Sequence, residues 1–314
     1  MIVMDGREET IANIRSAIAH GTLNVKVEPG DPVLTREQRA ALRERYNAMR
    51  PASGAPSLKY RAGQAVAHAV LRIGTPLIVQ DSHIVGQERA AGLDAAIVTS
   101  NHFSPIDNTL VRSMVWATGR KRMPVVAQED NLAMDGAFGF MMTYADTLPL
   151  PTNPAAVKHS FEPLLKRELD EGNFVLIYPE QEMWFNYRKP RPSKRGAFLY
   201  AARFGVPVLP CFVELRDKDK LERPDFVDVS YVLHVLEPIV PDPSLSDREN
   251  SIAMAEQDYR QKVAAYERIY DRKLDYRFDV DDIAGWVPTE TQRQSVVDAR
   301  ALQDADDIMR LCVA

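Results

Sequence analysis

Between residues 74 and 241 of the chain, short apolar runs alternate with longer stretches in which apolar residues recur every three or four positions. The short runs at 76–80, 83–87, 96–100, 124–127, 174–178, 206–213 and 227–238 predict strands. The longer stretches at 105–118, 154–171, 193–204 and 246–273 predict amphipathic helices, the last opening with a Ser246/Glu249 capping box. This alternation predicts an α/β domain with a mixed, mainly parallel sheet flanked by helices. Helical N-terminal and C-terminal extensions are expected at its two ends.

The extensions read differently from the centre. Residues 7–20 and 35–48 predict two short polar helices, split by Glu28-Pro29-Gly30-Asp31-Pro32, and Thr35 with Gln38 forms a capping box for the second. Pro51-Ala52-Ser53-Gly54-Ala55-Pro56 reads as a linker. After it, 59–73 carries Tyr60, Val66, Val70 and Ile73 at near-helical spacing with Lys59, Arg61 and Arg72 around them. Such a helix suits an anionic membrane surface, or else packs its alanine-rich face on the domain core. A final helix over 289–311 is expected to dock by Val296, Val297, Leu302, Ile308 and Leu311. The expected division is a helical N-terminal extension (1–55), an α/β domain (56–241) and a C-terminal helical extension (242–314).

Composition narrows the classes. The 314 residues carry 39 Lys and Arg against 44 Asp and Glu, a net charge of −5, with 45% hydrophobic residues; a dedicated DNA binder would need a basic surplus. Two cysteines, Cys211 and Cys312, make neither a disulfide framework nor a zinc ribbon, and a reducing compartment is expected. No uncharged stretch exceeds roughly a dozen residues, short of the ~20 that a spanning helix needs. The acidic residues among the first nine argue against a secretory signal, so a cytoplasmic location is expected.

Three stretches carry chemistry. In Ile97-Val98-Thr99-Ser100-Asn101-His102-Phe103-Ser104-Pro105-Ile106-Asp107 an apolar strand runs into Asn-His, and Ser104-Pro105 then has the form of an N-cap and first helical residue. His102 is thus expected in a strand-to-helix loop, where open α/β sheets place ligands. Asp107, in the first helical turn, can reach back to one imidazole nitrogen and leave the other as a general base. Such a base acts on a hydroxyl supplied by the substrate, so no serine or cysteine nucleophile is required. The second stretch, Phe174 to Trp184, delivers Glu180 to the same sheet edge. The third, Arg188-Lys189-Pro190-Arg191-Pro192-Ser193-Lys194-Arg195-Gly196, places five cations within eight positions and has Ser193 placed to cap a helix. It is either an exposed charged loop or a site for a substrate anion.

These stretches, in this order, resemble the glycerophospholipid acyltransferase family, whose best-known members are the bacterial 1-acyl-glycerol-3-phosphate acyltransferases. Asn101, His102 and Asp107 match its N-H-x-x-x-x-D block, and Val85-Gly86-Gln87-Glu88 resembles the approach to that strand. Tyr178-Pro179-Glu180 matches half of its F-P-E-G-T-R block, with Gln181, Glu182 and Met183 standing where the family has Gly, Thr and Arg. Lys194-Arg195-Gly196-Ala197 resembles its K-x-G-A segment, and Val206-Pro207-Val208-Leu209-Pro210 its V-P-I-x-P block. The family's I-F-x-D-R block falls on Leu148-Pro149-Leu150-Pro151, which lacks both the Asp and the Arg.

The resemblance implies an O-acyltransferase of phospholipid biosynthesis. In it His102 takes the proton of an acceptor hydroxyl attacking an acyl thioester, and Asp107 stabilises the imidazolium. Asn101, Ser104 and Glu180 would support the loop or organise the acceptor. In the family, the two arginines missing here hold the acceptor's phosphate; Arg188, Lys189, Arg191, Lys194 and Arg195 are the candidate replacements. The alternative is an acceptor with no phosphate at the reacting end, such as a glycolipid. A different class, a non-catalytic lipid-binding membrane tether, has no evident use for a His–Asp pair. The donor would be acyl-CoA or acyl-carrier protein, its chain in an apolar groove for which the stretch 137–144 is a candidate. No permanently bound cofactor, metal or nucleic acid is expected, and the lipid acceptor implies a peripheral protein at the inner face of a membrane.

Overall fold

The computed structural model describes residues 6–29, 34–49 and 56–313, with side chains up to residue 301. The first two helices are α1 (Arg7–Ala19) and α2 (Arg36–Met49), followed by α3 (Leu58–Ile78). The α/β part then runs β1 (His83–Val85), β2 (Ala96–Thr99), α4 (Asn108–Ala117), β3 (Val125–Gln128), α5 (Gly136–Tyr144) and β4 (Thr147–Leu150). A single turn α6 (Pro154–Ala156) passes through a π-helical segment into α7 (Glu162–Asp170). Next come β5 (Phe174–Leu176), α8 (Gly196–Phe204), β6 (Val208–Arg223), β7 (Phe226–Val235), α9 (Asp247–Tyr270) and α10 (Glu290–Val313). The linker at 51–55 and most of the breaker at 28–32 fall outside the described residues, as do the side chains of Leu302, Ile308 and Leu311.

The strands form one seven-stranded sheet in the order β1-β7-β6-β2-β5-β3-β4, parallel throughout except for the β6–β7 hairpin. Its central strands are apolar on both faces because helices cover both. Ala96 and Val98 of β2 pack with Leu110, Val111, Met114 and Val115 of α4. Ile97, pointing the other way by the two-residue period of a strand, packs with Leu165, Phe198 and Met254 of α7, α8 and α9. The α/β reading is met, and both predicted capping boxes form, Thr35 with Gln38 and Ser246 with Glu249.

Four expectations are corrected. Residues 76–78 continue α3 instead of forming a strand: Pro76 sits in its last turns, where its missing N–H costs one helical bond, to the carbonyl of the exposed residue Arg72. Residues 147–150, given no element from sequence, are edge strand β4, where the missing N–H of Pro149 leaves no ladder bond unmade. Strand β6 extends through the polar segment to Arg223 because β7 pairs with it across a hairpin. Val297 is exposed, whereas Val296 is buried against Ile11, Ile14 and Phe278.

A buried polar knot fastens α9 to the end of β2. Asp258 accepts from Thr99, from Lys262 Nζ at 2.9 Å and from Ser193 at 2.8 Å, and both members of the ion pair are fully buried. Removing one partner strands a charge in the core. Asp258→Ala is therefore expected to cost about 3–5 kcal/mol, and adding Lys262→Met to recover most of it, as read by urea unfolding.

Candidate active site

Parallel pairing places the residues. β2 and β5 are adjacent and parallel, with Ala96 opposite Phe174 and Val98 opposite Leu176, so the loops leaving their carboxyl ends emerge side by side. The first loop carries Asn101 to Asp107, the second Tyr178 to Arg195. They are laced together by backbone bonds from Trp184 N–H to His102 C=O and from Asn186 N–H to Phe103 C=O, both 3.0 Å.

The expected His–Asp pair forms. The His102 Nδ1 lies 2.8 Å from Asp107 Oδ2, and the same carboxylate accepts the N–H groups of Phe103 at 2.9 Å and Ser104 at 3.1 Å. Its other oxygen accepts the Tyr178 hydroxyl. Helix α4 consequently starts at Asn108 with Asp107 at its cap position, and residues 104–107 form a turn. The expected Ser104–Pro105 helix start is displaced because Asp107 itself satisfies the loop amides. Ser104 contributes its N–H to Asp107 and its Oγ to Ile106 N–H at 3.4 Å.

With Asp107 accepting at Nδ1, the proton belongs there and the lone pair is on Nε2. The ring is stacked on Tyr178 at a centroid distance of 3.9 Å and remains 21% exposed, which leaves Nε2 open to a substrate. Tyr178 is a residue that motif matching used without assigning it a role. Burial first, then the Asp107 charge and its hydrogen bond, push the phenol well above its ordinary range, so it stays a neutral donor at any working pH. Arg112 of α4 also went unnoticed. It is 2% exposed, its Nε has no hydrogen-bond partner, and burial lowers its guanidinium below the ordinary range against the pull of Asp146 and Tyr178.

Asn101 and Glu180 are struts. The Asn101 amide donates to Val213 C=O at 3.1 Å and accepts Val213 N–H at 2.8 Å, fixing the loop to β6. Glu180, 2% exposed, accepts the His102 N–H at 3.4 Å and the Arg191 N–H at 2.9 Å, and pairs with the Arg191 guanidinium at 3.0 Å.

The basic run is divided. Arg191 is buried, spending its charge on Glu180 and further bonds on Glu182 C=O and Leu23 C=O. Lys189 is buried against Asp282 at 2.8 Å and Asp275 at 3.3 Å, and Arg188 binds Asp217. Only Lys194 and Arg195 of the five are exposed. Ser193 bonds Asp258 instead of capping α8, which begins at Gly196. The run thus serves largely to lock the loop onto the protein, a use of charge that sequence cannot distinguish from anion binding.

The segment 137–144 falls entirely within α5, with Phe140, Met141 and Met142 half-buried. Among the described residues, no group of three or more His, Cys, Asp or Glu side chains is arranged to hold a metal ion.

Residues 81–214 match the family model described as Acyltransferase. The segment 81–214 is thus an acyltransferase domain. The matched segment contains the first loop and the whole of the second. A crystal structure of the 1-acyl-sn-glycerophosphate (LPA) acyltransferase PlsC from Thermotoga maritima is similar at 18% identity, over 85% of this chain and 100% of that one, with a TM-score of 0.45. No curated protein sequence matches significantly.

Gln181 stands at the glycine position of the family motif and keeps the backbone that glycine favours, with φ at 67°. Gln181→Gly is expected to leave stability within about 0.5 kcal/mol, relief of strain offsetting the added freedom of the unfolded chain. Gln181→Val, β-branched at positive φ, is expected to cost about 2 kcal/mol, and thermal melts of both variants check the contrast.

Proposed function

We propose that this acyltransferase moves a fatty acyl group from an acyl thioester, acyl-CoA or acyl-carrier protein, to the hydroxyl of a lysophospholipid-type acceptor. The observation that carries the reading is an imidazole held by Asp107 at one nitrogen and open at the other. As the acceptor oxygen attacks the thioester carbon, Nε2 takes its proton and Asp107 stabilises the imidazolium. Collapse of the tetrahedral intermediate breaks the C–S bond, and the imidazolium returns the proton to the departing sulfur. Glu180 and Asn101 act as positioning residues, through the backbone of the His102 loop. A second reading, the same chemistry on an acceptor without phosphate such as a glycolipid, is favoured by the burial of Lys189 and Arg191 in internal ion pairs.

The acceptor's amphiphilic nature calls for access to a lipid surface. Among the described residues no helix is long and apolar enough to cross a membrane. Helix α3 buries only Tyr60, Ala67 and Thr75, and turns Val66, Val70, Ile73 and Leu77 outward in one stripe at spacings of four and three. Exposed Lys59, Arg61 and Arg72 accompany it. In this reading α3 lies on an anionic bilayer and the enzyme works peripherally at the inner face, with 1–55 and 242–314 as extensions of the central domain.

His102→Ala is expected to slow thiol release from palmitoyl-CoA plus lysolipid by about 10³-fold with an unchanged circular-dichroism spectrum. Full activity in that variant would sink the mechanism. Val70→Asp combined with Ile73→Asp is expected to weaken co-sedimentation with phosphatidylglycerol vesicles by about tenfold or more. Equal binding by the two proteins would remove α3 from the membrane contact.

A further inference from the structure

The segment that follows α1 lies on the second site loop. Val25 C=O accepts the Trp184 indole N–H at 2.9 Å, Leu23 C=O accepts from Arg191 at 3.2 Å, and Asn13 of α1 holds Val27 C=O at 2.9 Å. Val27 is 1% exposed and shares a core with Ile14, Trp184 and Tyr187. Trp184 in turn holds His102 C=O. A stretch that sequence assigned to an appendage is thereby fastened directly to the loop beside His102.

Glu28 comes next. The residue is half-buried, yet its Oε1 is sealed from solvent and has no hydrogen-bond partner. Leaving a carboxylate oxygen this way costs more than leaving a neutral group, and an orphaned buried acceptor calls for an explanation. Burial, the largest influence, raises its carboxyl above the usual range; its own amide, His102 and Lys26 pull it down, and Glu182 pushes it up. His102, Lys26 and Glu182 are therefore its electrostatic neighbours.

Two acidic side chains, Glu28 and Glu182, thus stand near where the family motif would supply a cation, and the exposed cations Lys26, Lys194 and Arg195 lie on the flanking segments. Glu182 replaces the motif's threonine, and Met183 its arginine. Arg191, Lys189 and Arg188 are committed to Glu180, Asp282 and Asp217, and Arg112 is enclosed in the core. A phosphate monoester next to the reacting hydroxyl would meet a carboxylate. A headgroup with O–H or N–H donors would be favoured by that charge.

We infer that Glu28, supplied by the N-terminal extension, is a specificity-determining residue of the acceptor site, and that it selects an acceptor with hydroxyl or ammonium donors and no phosphate at its reacting end. The inference rests on the proposed acyl transfer and names the acceptor class for it.

The test compares thiol release from palmitoyl-CoA with monoacylglycerol and with lysophosphatidate, in mixed micelles, for the full-length protein, Glu28→Gln and Glu28→Lys. The unaltered protein is expected to show the higher kcat/KM on monoacylglycerol. Glu28→Gln is expected to narrow the ratio of the two by about tenfold, the size of one charge-assisted hydrogen bond, and Glu28→Lys to narrow it further or reverse it. A Glu28→Ala variant measured the same way covers any folding defect in the others. Preference of the unaltered protein for lysophosphatidate, or a ratio untouched in variants that still turn over, overturns the role of Glu28 and leaves acyl transfer standing. Absence of thiol release with either acceptor in the unaltered protein overturns acyl transfer, and this inference with it.

Discussion

The Asp107 carboxylate organises everything around it. Four donors converge on it: the His102 imidazole, the Phe103 and Ser104 amides and the Tyr178 hydroxyl. A single buried group thus shapes the loop after β2, delays the start of α4, fixes the imidazole tautomer and ties the first loop to the strand end that carries Glu180. The arrangement is possible because β2 and β5 run parallel and adjacent, a pairing that delivers both loops to one edge of the sheet. Take away the carboxylate and two loop amides, a phenol and an imidazole all lose their acceptor together.

The second loop shows how differently a charge behaves once buried. Arg188, Lys189 and Arg191 form, in sequence, the most basic part of the chain, and that pattern invites an anion. In the fold, Glu180, Asp282 and Asp217 neutralise them, and the guanidinium of Arg191 lies over the Trp184 ring at 4.5 Å. A desolvated cation requires such partners, and the chain draws them from as far away as the segment after α9. These pairs fasten the loop, and within it Glu180 is held against the His102 backbone. The net effect is that three of the five cations of the run are spent internally, while Glu28 interacts electrostatically with His102.

The same contrast between local pattern and packing governs α3. Its apolar residues recur with the period of a helix, and periodicity correctly gives the helix. Periodicity cannot say which way the stripe faces. Tyr60, Ala67 and Thr75 take the inward positions, and the larger Val66, Val70, Ile73 and Leu77 face out. For a helix packed on a domain core the reverse would be expected.

Much of the fold was legible in the chain itself. Strands buried on both faces read as unbroken apolar runs, capping boxes mark helix starts, and Asn101, His102 and Asp107 sit at an interval that a strand-to-turn geometry can close. These are local signals, set by dihedral preference and hydrogen bonding over a few residues. What they could not convey depends on neighbours far along the chain. Strand β4 exists because β3 offers it an edge, the polar half of β6 because β7 returns beside it, and the partners of Lys189 and Arg191 come from other segments. Glu28 is the clearest case: alone it is one acidic residue before a proline. Its meaning comes from Trp184 and Arg191, some 160 residues away, which hold its segment beside His102. Sequence by itself determined most of the elements and the His102–Asp107 pair; tertiary structure decided which charges surround that pair, because burial and long-range pairing alone set whether a charge is spent or available.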